Sequence, residues 1–289
     1  MIKKLAIVGI CLLEWGIVKS QYVREDDTTY VPSSRTLKQR YSQNELDFKH
    51  FAGILLGNSL VLGSLTDTNL YNPKAGFAIP AGSSFTLVQL NFRLQEYWGV
   101  GGSYGNFVFS HNSTAYAKSF LQLKGHNPED WRIRIDQPNQ MWGSVHLIAG
   151  LTGYIPLEKK IVMVPKVFWG ASVWDSPEIA FSAARQNTHI SYVQRSQISE
   201  SAWTLNVGSS FLYFFSKRFA LNGTCNIFYS LASFGRWEAT VQTETTQSNR
   251  LVLQTEKFVI PQRTMSMWMI DFSVGIVYRF VKNSGFDPL

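Results

Sequence analysis

The sequence predicts an all-β protein, an eight-stranded antiparallel up-and-down transmembrane β-barrel. Residues 268–280 (WMIDFSVGIVYRF) are apolar at every second position and aromatic at both ends. This pattern is typical of a strand that crosses a membrane with one face toward lipid. Seven earlier segments alternate in a similar way, and the connections between the eight segments are alternately long and short. Such connections indicate a barrel with long loops on one side of the membrane and tight turns on the other.

The composition agrees with this architecture. The chain has 289 residues, of which 45% are hydrophobic, 14% aromatic and 16% charged. Charge is low and aromatic content is high for a soluble domain. Outside the N-terminus no apolar run reaches about 18 residues, so we do not expect membrane-spanning helices. The net charge of +7 is scattered along the chain and does not predict a nucleic-acid partner.

The N-terminus has the pattern of a secretory signal peptide over residues 1–20. Lys3 and Lys4 form a basic end, residues 5–13 an apolar core, and Ser20 precedes the predicted cleavage site. A retained N-terminal anchor is the alternative. Residues 21–48 are polar and are predicted to form a periplasmic tail, in which a short amphipathic helix over 35–46 is the alternative.

The cysteine count excludes several kinds of site. Cys11 lies in the apolar core of the predicted signal, so Cys225 would be the single cysteine of the mature chain. An exported chain with one cysteine has no internal disulfide and no cysteine-based metal site. The sequence also shows no cluster of metal ligands and no phosphate-binding glycine loop, so we expect no metal and no cofactor.

The eight strands are predicted near residues 49–64, 85–95, 98–110, 141–155, 160–174, 201–215, 219–233 and 268–280. The barrel then occupies 49–280, and 281–289 form a C-terminal tail. Four long extracellular loops are predicted at 65–83, 111–139, 175–199 and 235–263, of which the last is partly β-prone and suggests a projecting hairpin. Because the short turns lie at the periplasmic end, both termini are predicted to be periplasmic. Pro165 within the fifth strand predicts a bulge, since proline cannot donate to a ladder.

The inward-facing positions are mostly polar, which predicts a lumen filled by polar side chains. This set comprises Gln89, Asn91, Arg93, His146, Lys166, Asn206, Asn222, Asn226, Asp271 and Arg279. Because an isolated buried charge is costly, we expect Asp271 to pair with Arg93 or Lys166 in a polar plug. A gated pore is the alternative.

Aromatic residues lie on the outward face near the strand ends. They are Trp98, Trp169, Trp203, Tyr213, Phe215, Phe219, Trp268 and Tyr278. Amphipathic rings at both borders of an apolar band predict an aromatic girdle at the membrane–water interfaces.

The last strand also carries a recognisable signature. Ser273, Gly275, Tyr278 and Phe280 match the C-terminal assembly signal of outer-membrane barrels, although nine residues follow Phe280. With the ending GIVYRF, Gln21 at the predicted mature start and the eight-strand plan, residues 49–280 resemble the small outer-membrane β-barrel family of Bacteroidota. That group includes barrels like outer-membrane protein A and the barrel of the type IX secretion system.

The resemblance implies a location in the bacterial outer membrane. It also implies contact with outer-membrane lipid and lipopolysaccharide, and recognition of the signal by the barrel-insertion machinery during assembly. It points to a structural or interaction role without enzymatic activity.

Three alternatives remain open at the level of the sequence. The first is an accessory component of a secretion or envelope-assembly complex, docked through residues 21–48. The second is an esterase acting on lipid A, since His111 and Ser113 have the spacing that resembles some eight-stranded lipid A deacylases. Glu129 or Asp130 would then orient the histidine. The third is a soluble ligand carrier, which requires apolar residues inside the barrel.

Overall fold

The computed structural model describes residues 50–70, 72, 75–95, 97–136, 141–158, 160–194, 199–216, 218–247 and 250–280. The predicted signal peptide, the periplasmic tail and the C-terminal tail lie outside these residues.

The described chain is built almost entirely of β-strands, joined by one helix and two short 3₁₀ turns. The strands are β1 (His50–Gly63), β2 (Ala78–Arg93), β3 (Trp98–His111), β4 (Arg132–Ile135), β5 (Met141–Gly153), β6 (Ile155–Glu158), β7 (Ile161–Asp175), β8 (Ile179–Arg185), β9 (Thr188–Gln194), β10 (Ser199–Phe214), β11 (Phe219–Phe234), β12 (Trp237–Gln247), β13 (Arg250–Ile260) and β14 (Arg263–Phe280). The helix α1 spans Ser113–Leu123, and the 3₁₀ turns span Ser64–Thr66 and Pro128–Asp130.

Eight of these strands close into an antiparallel barrel, as the sequence predicts. In chain order β1, β2, β3, β5, β7, β10, β11 and β14 each pair with the next, and β14 pairs with β1. The ring contains no crossover, so the barrel is of the up-and-down type. The fold-class prediction is confirmed.

The polarity of the barrel also follows the alternation in the sequence. On β11 the inward positions, such as Asn222 and Asn226, are buried, and the outward positions, such as Leu221 and Ile227, are exposed. On β2 the register shifts between Thr86 and Val88, so that Thr86 pairs with the inward-facing Gly105. Strict alternation along this strand predicts that Thr86 faces outward with Leu90, and this prediction is wrong, because a bulge adds one residue and changes the phase of alternation.

The bulge predicted at Pro165 is absent, and the irregularity lies in the neighbouring strand. β7 pairs with β10 without a shift through the pair Pro165–Ser209. On its other side β5 ends at Gly153, and the Tyr154 N–H donates to the Tyr97 carbonyl oxygen (2.9 Å). Since proline has no N–H to donate, the ladder is interrupted in the neighbouring strand opposite it.

At the end of the barrel opposite the short turns, three of the predicted long loops form an ordered domain instead, called the external domain because it lies outside the barrel. β4, β8, β9, β12 and β13 build a five-stranded sheet in the order β13-β12-β9-β8-β4. Helix α1 packs against this sheet, and the Asn112 side chain caps its first turn by accepting from Ala115 N (3.0 Å). The polar appearance of these segments conceals an apolar face on each strand, formed by pairs such as Phe181 with Ala183 and Ala239 with Val241.

The remaining predicted loop, 65–83, is shorter than expected, because β2 begins at Ala78 rather than near residue 85. The hairpin predicted beyond strands seven and eight is present as β12 and β13.

One apolar core joins the external half of the lumen to the external sheet. It includes Met265, Met267 and Met269 of β14 together with Phe107, Phe109, Trp142, Phe228, Phe234, Tyr116, Phe120, Phe181 and Tyr192. In the described part of the chain, no helix has the length and apolarity needed to cross a membrane.

Candidate functional site

The charged centre of the lumen is the carboxylate of Asp271, which is 3% exposed. Asp271 lies on β14 beside Ser59 of β1 and Asn226 of β11. Its Oδ1 accepts from Ser59 Oγ (2.9 Å), and its Oδ2 accepts from Ser273 Oγ (2.7 Å) and Asn226 Nδ2 (3.2 Å). Hydrogen bonds to the charged form stabilise a buried carboxylate without a directly contacting cation.

The structure does not place either predicted cation against Asp271. Among the described residues no ion pair within 4.0 Å involves this carboxylate. Lys166 is buried in the same lumen and donates to Ser210 Oγ (3.2 Å). Arg93 lies at the end of β2, where its Nε donates to the Gln95 carbonyl oxygen (3.2 Å). The register explains this arrangement, because neutral donors on both adjacent strands already surround the carboxylate.

Hydrogen bonds also cross the lumen. Gln89 on β2 donates through Nε2 to Ser210 Oγ on β10 (3.5 Å) and accepts through Oε1 from Asn222 Nδ2 on β11 (3.2 Å). β2 and β10 lie on opposite sides of the eight-stranded ring. Side chains therefore close the barrel at this level.

The other residues of the predicted polar set are buried as well. Asn91, His146, Asn206 and Arg279 all point into the barrel. The His146 ring lies between Phe107 and Phe228, with centroids 5.0 Å and 5.4 Å away. Arg279 lies over the ring of Phe214, 5.2 Å from its centroid.

The sequence predicts a lumen filled by polar side chains, but only part of the lumen is polar. The external half is filled by the apolar core described above, in which the three methionines of β14 are almost fully buried. Met269 and the other methionines pack in this layer beneath the external sheet. A covered lumen end excludes water, so apolar side chains are favoured there.

His111 and Ser113 are in contact at the external end of β3. His111 Nδ1 lies 3.0 Å from Ser113 Oγ, and the two residues are only 8% and 7% exposed. Both predicted acids are engaged elsewhere: Glu129 Oε1 lies 2.9 Å from Lys118 Nζ, and Asp130 Oδ2 lies 3.5 Å from Arg185 Nη2. The hydrogen bond from Lys118 lowers the pKa of Glu129.

A buried tyrosine pair under the external sheet was not identified from the sequence. Tyr116 of α1 and Tyr192 of β9 form a hydrogen bond between their hydroxyl groups (2.7 Å). Burial raises the pKa of Tyr116 to about 12, and burial likewise raises the pKa of Tyr192 well above its ordinary value. Only the alternation of β9 could have suggested that Tyr192 points inward.

Close to this pair lies a buried arginine. Arg263 Nη1 donates to the Ala75 carbonyl oxygen (2.6 Å), and the guanidinium lies 4.1 Å from the centroid of the Trp237 ring. In the described part of the chain, no group of three or more His, Cys, Asp or Glu side chains could hold a metal ion.

The residues of the predicted assembly signal have defined structural positions. Ser273 is buried and bonded to Asp271, and a Cβ atom on Gly275 would lie 1.8 Å from the Ile54 carbonyl oxygen. Tyr278 and Phe280 face outward with ring centroids 5.3 Å apart.

The predicted girdle residues lie on the outer surface of the barrel. Trp98, Trp169, Trp203, Tyr213, Phe215, Phe219 and Trp268 are exposed, and Tyr278 is half-buried against Phe219.

No family model matches this sequence. No curated protein is significantly similar to it. Solved structures with a similar fold include Neisserial surface protein A, which is 8% identical, with coverage of 80% of this chain and 97% of that chain and a TM-score of 0.38. Ail, the attachment invasion locus protein of Yersinia pestis, is 10% identical, with 80% and 99% coverage and a TM-score of 0.35. The outer membrane protease OmpT from Escherichia coli is 12% identical, with 81% and 99% coverage and a TM-score of 0.35. Because these values are low, the architecture is assigned from the strand pairing of this chain.

Proposed function

We propose that this chain is a non-enzymatic integral protein of the bacterial outer membrane, in which a closed barrel anchors a folded external domain. The observation that carries the proposal is a belt of apolar side chains on the outer surface of the barrel. Every barrel strand contributes to it, through residues such as Leu56, Leu90, Tyr104, Leu147, Val167, Leu205, Ile227 and Phe272. A contiguous apolar surface of this extent is not stable in water, so the belt favours contact with lipid.

The dimensions and polarity of the belt support the same proposal. At about 3.3 Å per residue and a tilt of about 40°, the stretch from Trp268 to Phe280 rises about 30 Å, similar to the apolar band of outer-membrane barrels. Between the aromatic residues at its two borders, the outward positions of the described strands carry no charged side chain. The soluble carrier requires the opposite polarity and is disfavoured.

The orientation of the barrel in the membrane is inferred from the lengths of its connections, because outer-membrane barrels have short periplasmic turns and long extracellular loops. His50 and Phe280 are paired at the end of the barrel that also has the short turns. We therefore propose a periplasmic location for both termini and an extracellular location for the five-stranded sheet. We also propose outer-membrane lipid and lipopolysaccharide as the surroundings, and the barrel-insertion machinery as the partner during assembly. The specific role would be structural or interactive, with an accessory place in a secretion or envelope-assembly complex as the alternative.

A lysine within the belt tests the membrane proposal. We expect Phe272→Lys to impair insertion, because a lysine near the bilayer midplane costs about 2–4 kcal/mol. Thr240→Lys is the matched control, since Thr240 is exposed on the external sheet. Heat-modifiable migration on gels and sedimentation with washed membranes report insertion. A wild-type chain that stays soluble without detergent would contradict the proposal.

A hydrolase is the second candidate, favoured only by the contact between His111 and Ser113. Two observations disfavour a hydrolase: Ser113 is buried, and both predicted acids form ion pairs with basic side chains rather than contacting His111. Mass spectrometry of lipid A from cells that produce the wild-type chain or Ser113→Ala distinguishes the candidates. We expect identical acylation, whereas a loss of deacylated product in the variant would favour the hydrolase.

A further inference from the structure

The two edges of the external sheet differ in how well they are protected. β4 has four residues, and its arginines Arg132 and Arg134 are exposed. Short length and charged side chains keep an edge strand from pairing with another chain. β13 has eleven residues, and among the described strands it pairs only with β12. It is therefore not short, and between Leu251 and Thr255 it carries no charged side chain.

The unprotected part of β13 is strongly apolar. Leu251, Val252 and Leu253 are 68%, 49% and 58% exposed. These residues belong to the external domain and lie outside the belt of the barrel, so contact with lipid does not account for them. Consecutive exposed apolar residues on a free strand edge are typical of an interaction surface.

The strand is at the same time held in a fixed position. The Phe258 ring packs edge-on against Phe120 of α1, with centroids 5.2 Å apart. Lys124, at the end of α1, forms an ion pair with Glu256. These contacts and the pairing with β12 preorganise the free edge for a partner strand.

We propose that β13 pairs with β13 of a second copy of this chain, antiparallel and about a two-fold axis at Thr255. The strand sequence RLVLQTEKFVI has apolar triplets at 251–253 and 258–260 around a polar centre. Self-pairing about Thr255 places Leu251 opposite Val259 and Val252 opposite Phe258. Cross-strand apolar pairs of this kind are the stabilising unit of a sheet.

The charges favour this register over the one centred on Glu256. About Thr255, Glu256 faces Gln254 and Lys257 faces Leu253, so no like charges are opposed. A two-fold axis at Glu256 would place two carboxylates directly opposite each other, which is destabilising. An isologous pair is the commonest arrangement of homodimers, and it covers both free edges at once. The proposal concerns the external sheet and does not depend on where the barrel resides.

Cysteine cross-linking of the full chain in detergent micelles tests this pairing. In a background with Cys11→Ser and Cys225→Ser, the variant Thr255→Cys places one cysteine on the two-fold axis. Directly opposed residues have Cα atoms about 4.5–5.5 Å apart, within the range of about 4.4–6.8 Å for a disulfide. We expect mild oxidation to give a reducible dimer, with a yield at least tenfold above that of the control.

The matched control is Thr240→Cys, which is exposed on the same sheet but lies on β12, between β9 and β13. Adding Leu253→Lys and Val259→Lys to Thr255→Cys should abolish the cross-link, while heat-modifiable migration shows that the barrel is still folded. Equal yields from Thr255→Cys and Thr240→Cys would overturn the proposal. Unchanged cross-linking in the lysine variant would also overturn it.

Discussion

At the scale of single residues, the lumen shows how a buried charge is stabilised by neutral neighbours. Asp271 receives hydrogen bonds from Ser59, Ser273 and Asn226, which occupy its own strand and both adjacent strands. The alternation of the sequence places all of these side chains on the inner face. The choice among donors depends on register, because a shift of two residues would bring different side chains beside the carboxylate.

Removing this carboxylate should destabilise the barrel. In Asp271→Ala the three donors lose their acceptor in a buried site, which we expect to cost about 1–3 kcal/mol. Urea unfolding in detergent, followed by tryptophan fluorescence, measures the difference. Asp136→Ala is the control on the external surface, where substitutions usually change stability by less than about 0.5 kcal/mol. Equal midpoints for the two variants would contradict this account.

Gly275 is required because the strand β1 lies too close for a side chain. A Cβ atom there would lie 1.8 Å from the Ile54 carbonyl oxygen and 2.8 Å from Leu55 Cα. We expect Gly275→Ala to prevent assembly of the heat-modifiable form. Gly223→Ala is the matched control, since a Cβ atom on Gly223 meets nothing within 4 Å, and it should assemble normally. Normal assembly of Gly275→Ala would show that the strands can separate at this point.

At the scale of elements, α1 and the external sheet illustrate what pattern analysis overlooks. The segments 111–139 and 175–199 contain many polar residues, so they were predicted to be loops. In the structure their apolar residues lie on one face, where Phe120 packs against Phe181 and Tyr192 with ring centroids 5.6 Å and 5.0 Å away. β4, β8 and β9 are only four to seven residues long, and such short strands give a weak alternating signal.

The tyrosine pair that joins α1 to β9 predicts a dependence of stability on alkaline pH. Both pKa values are raised in the folded state, that of Tyr116 to about 12. The pair therefore stabilises the domain fully below pH 10, where both states keep their protons. As pH rises from 10 toward 12 the unfolded chain ionises first, so stability falls by about 1.4 kcal/mol per pH unit for each group.

Two measurements between about pH 8 and pH 12 check this prediction, because this range spans the ordinary tyrosine pKa of about 10. Limited proteolysis reports the stability of the external domain, and tyrosine absorbance at about 295 nm reports ionisation. Tyr116→Phe should remove one late-titrating group. If every tyrosine of the folded protein titrates near the ordinary value, the pair is accessible to water.

At the scale of the whole molecule, two separate layers of side chains close the lumen. The hydrogen bonds among Gln89, Ser210 and Asn222 cross its middle, and the apolar core with the external sheet fills and covers its outer half. An eight-stranded barrel has an interior just wide enough for side chains. The whole molecule therefore combines a filled barrel with an external domain that is available for contacts.

This arrangement predicts a barrel that does not conduct ions. We expect no single-channel steps when the purified protein is inserted into planar bilayers. Gln89→Ala should also be silent, because the apolar layer remains closed after the crossing hydrogen bonds are removed. Regular steps from the wild-type protein would restore the gated pore as an explanation.

The sequence by itself determined the barrel, because an alternation of apolar and polar residues leaves each strand only one way to face lipid and lumen. It also identified the buried polar residues and the small residue Gly275. Only the tertiary structure decided the partners of Asp271, the position of the break opposite Pro165 and the pairing of Tyr116 with Tyr192. These features depend on strand register and on contacts between residues distant in the chain, about which a local period of two residues carries no information. The external sheet required the tertiary structure for the same reason, since each of its short strands is stabilised by neighbours that the local pattern does not identify.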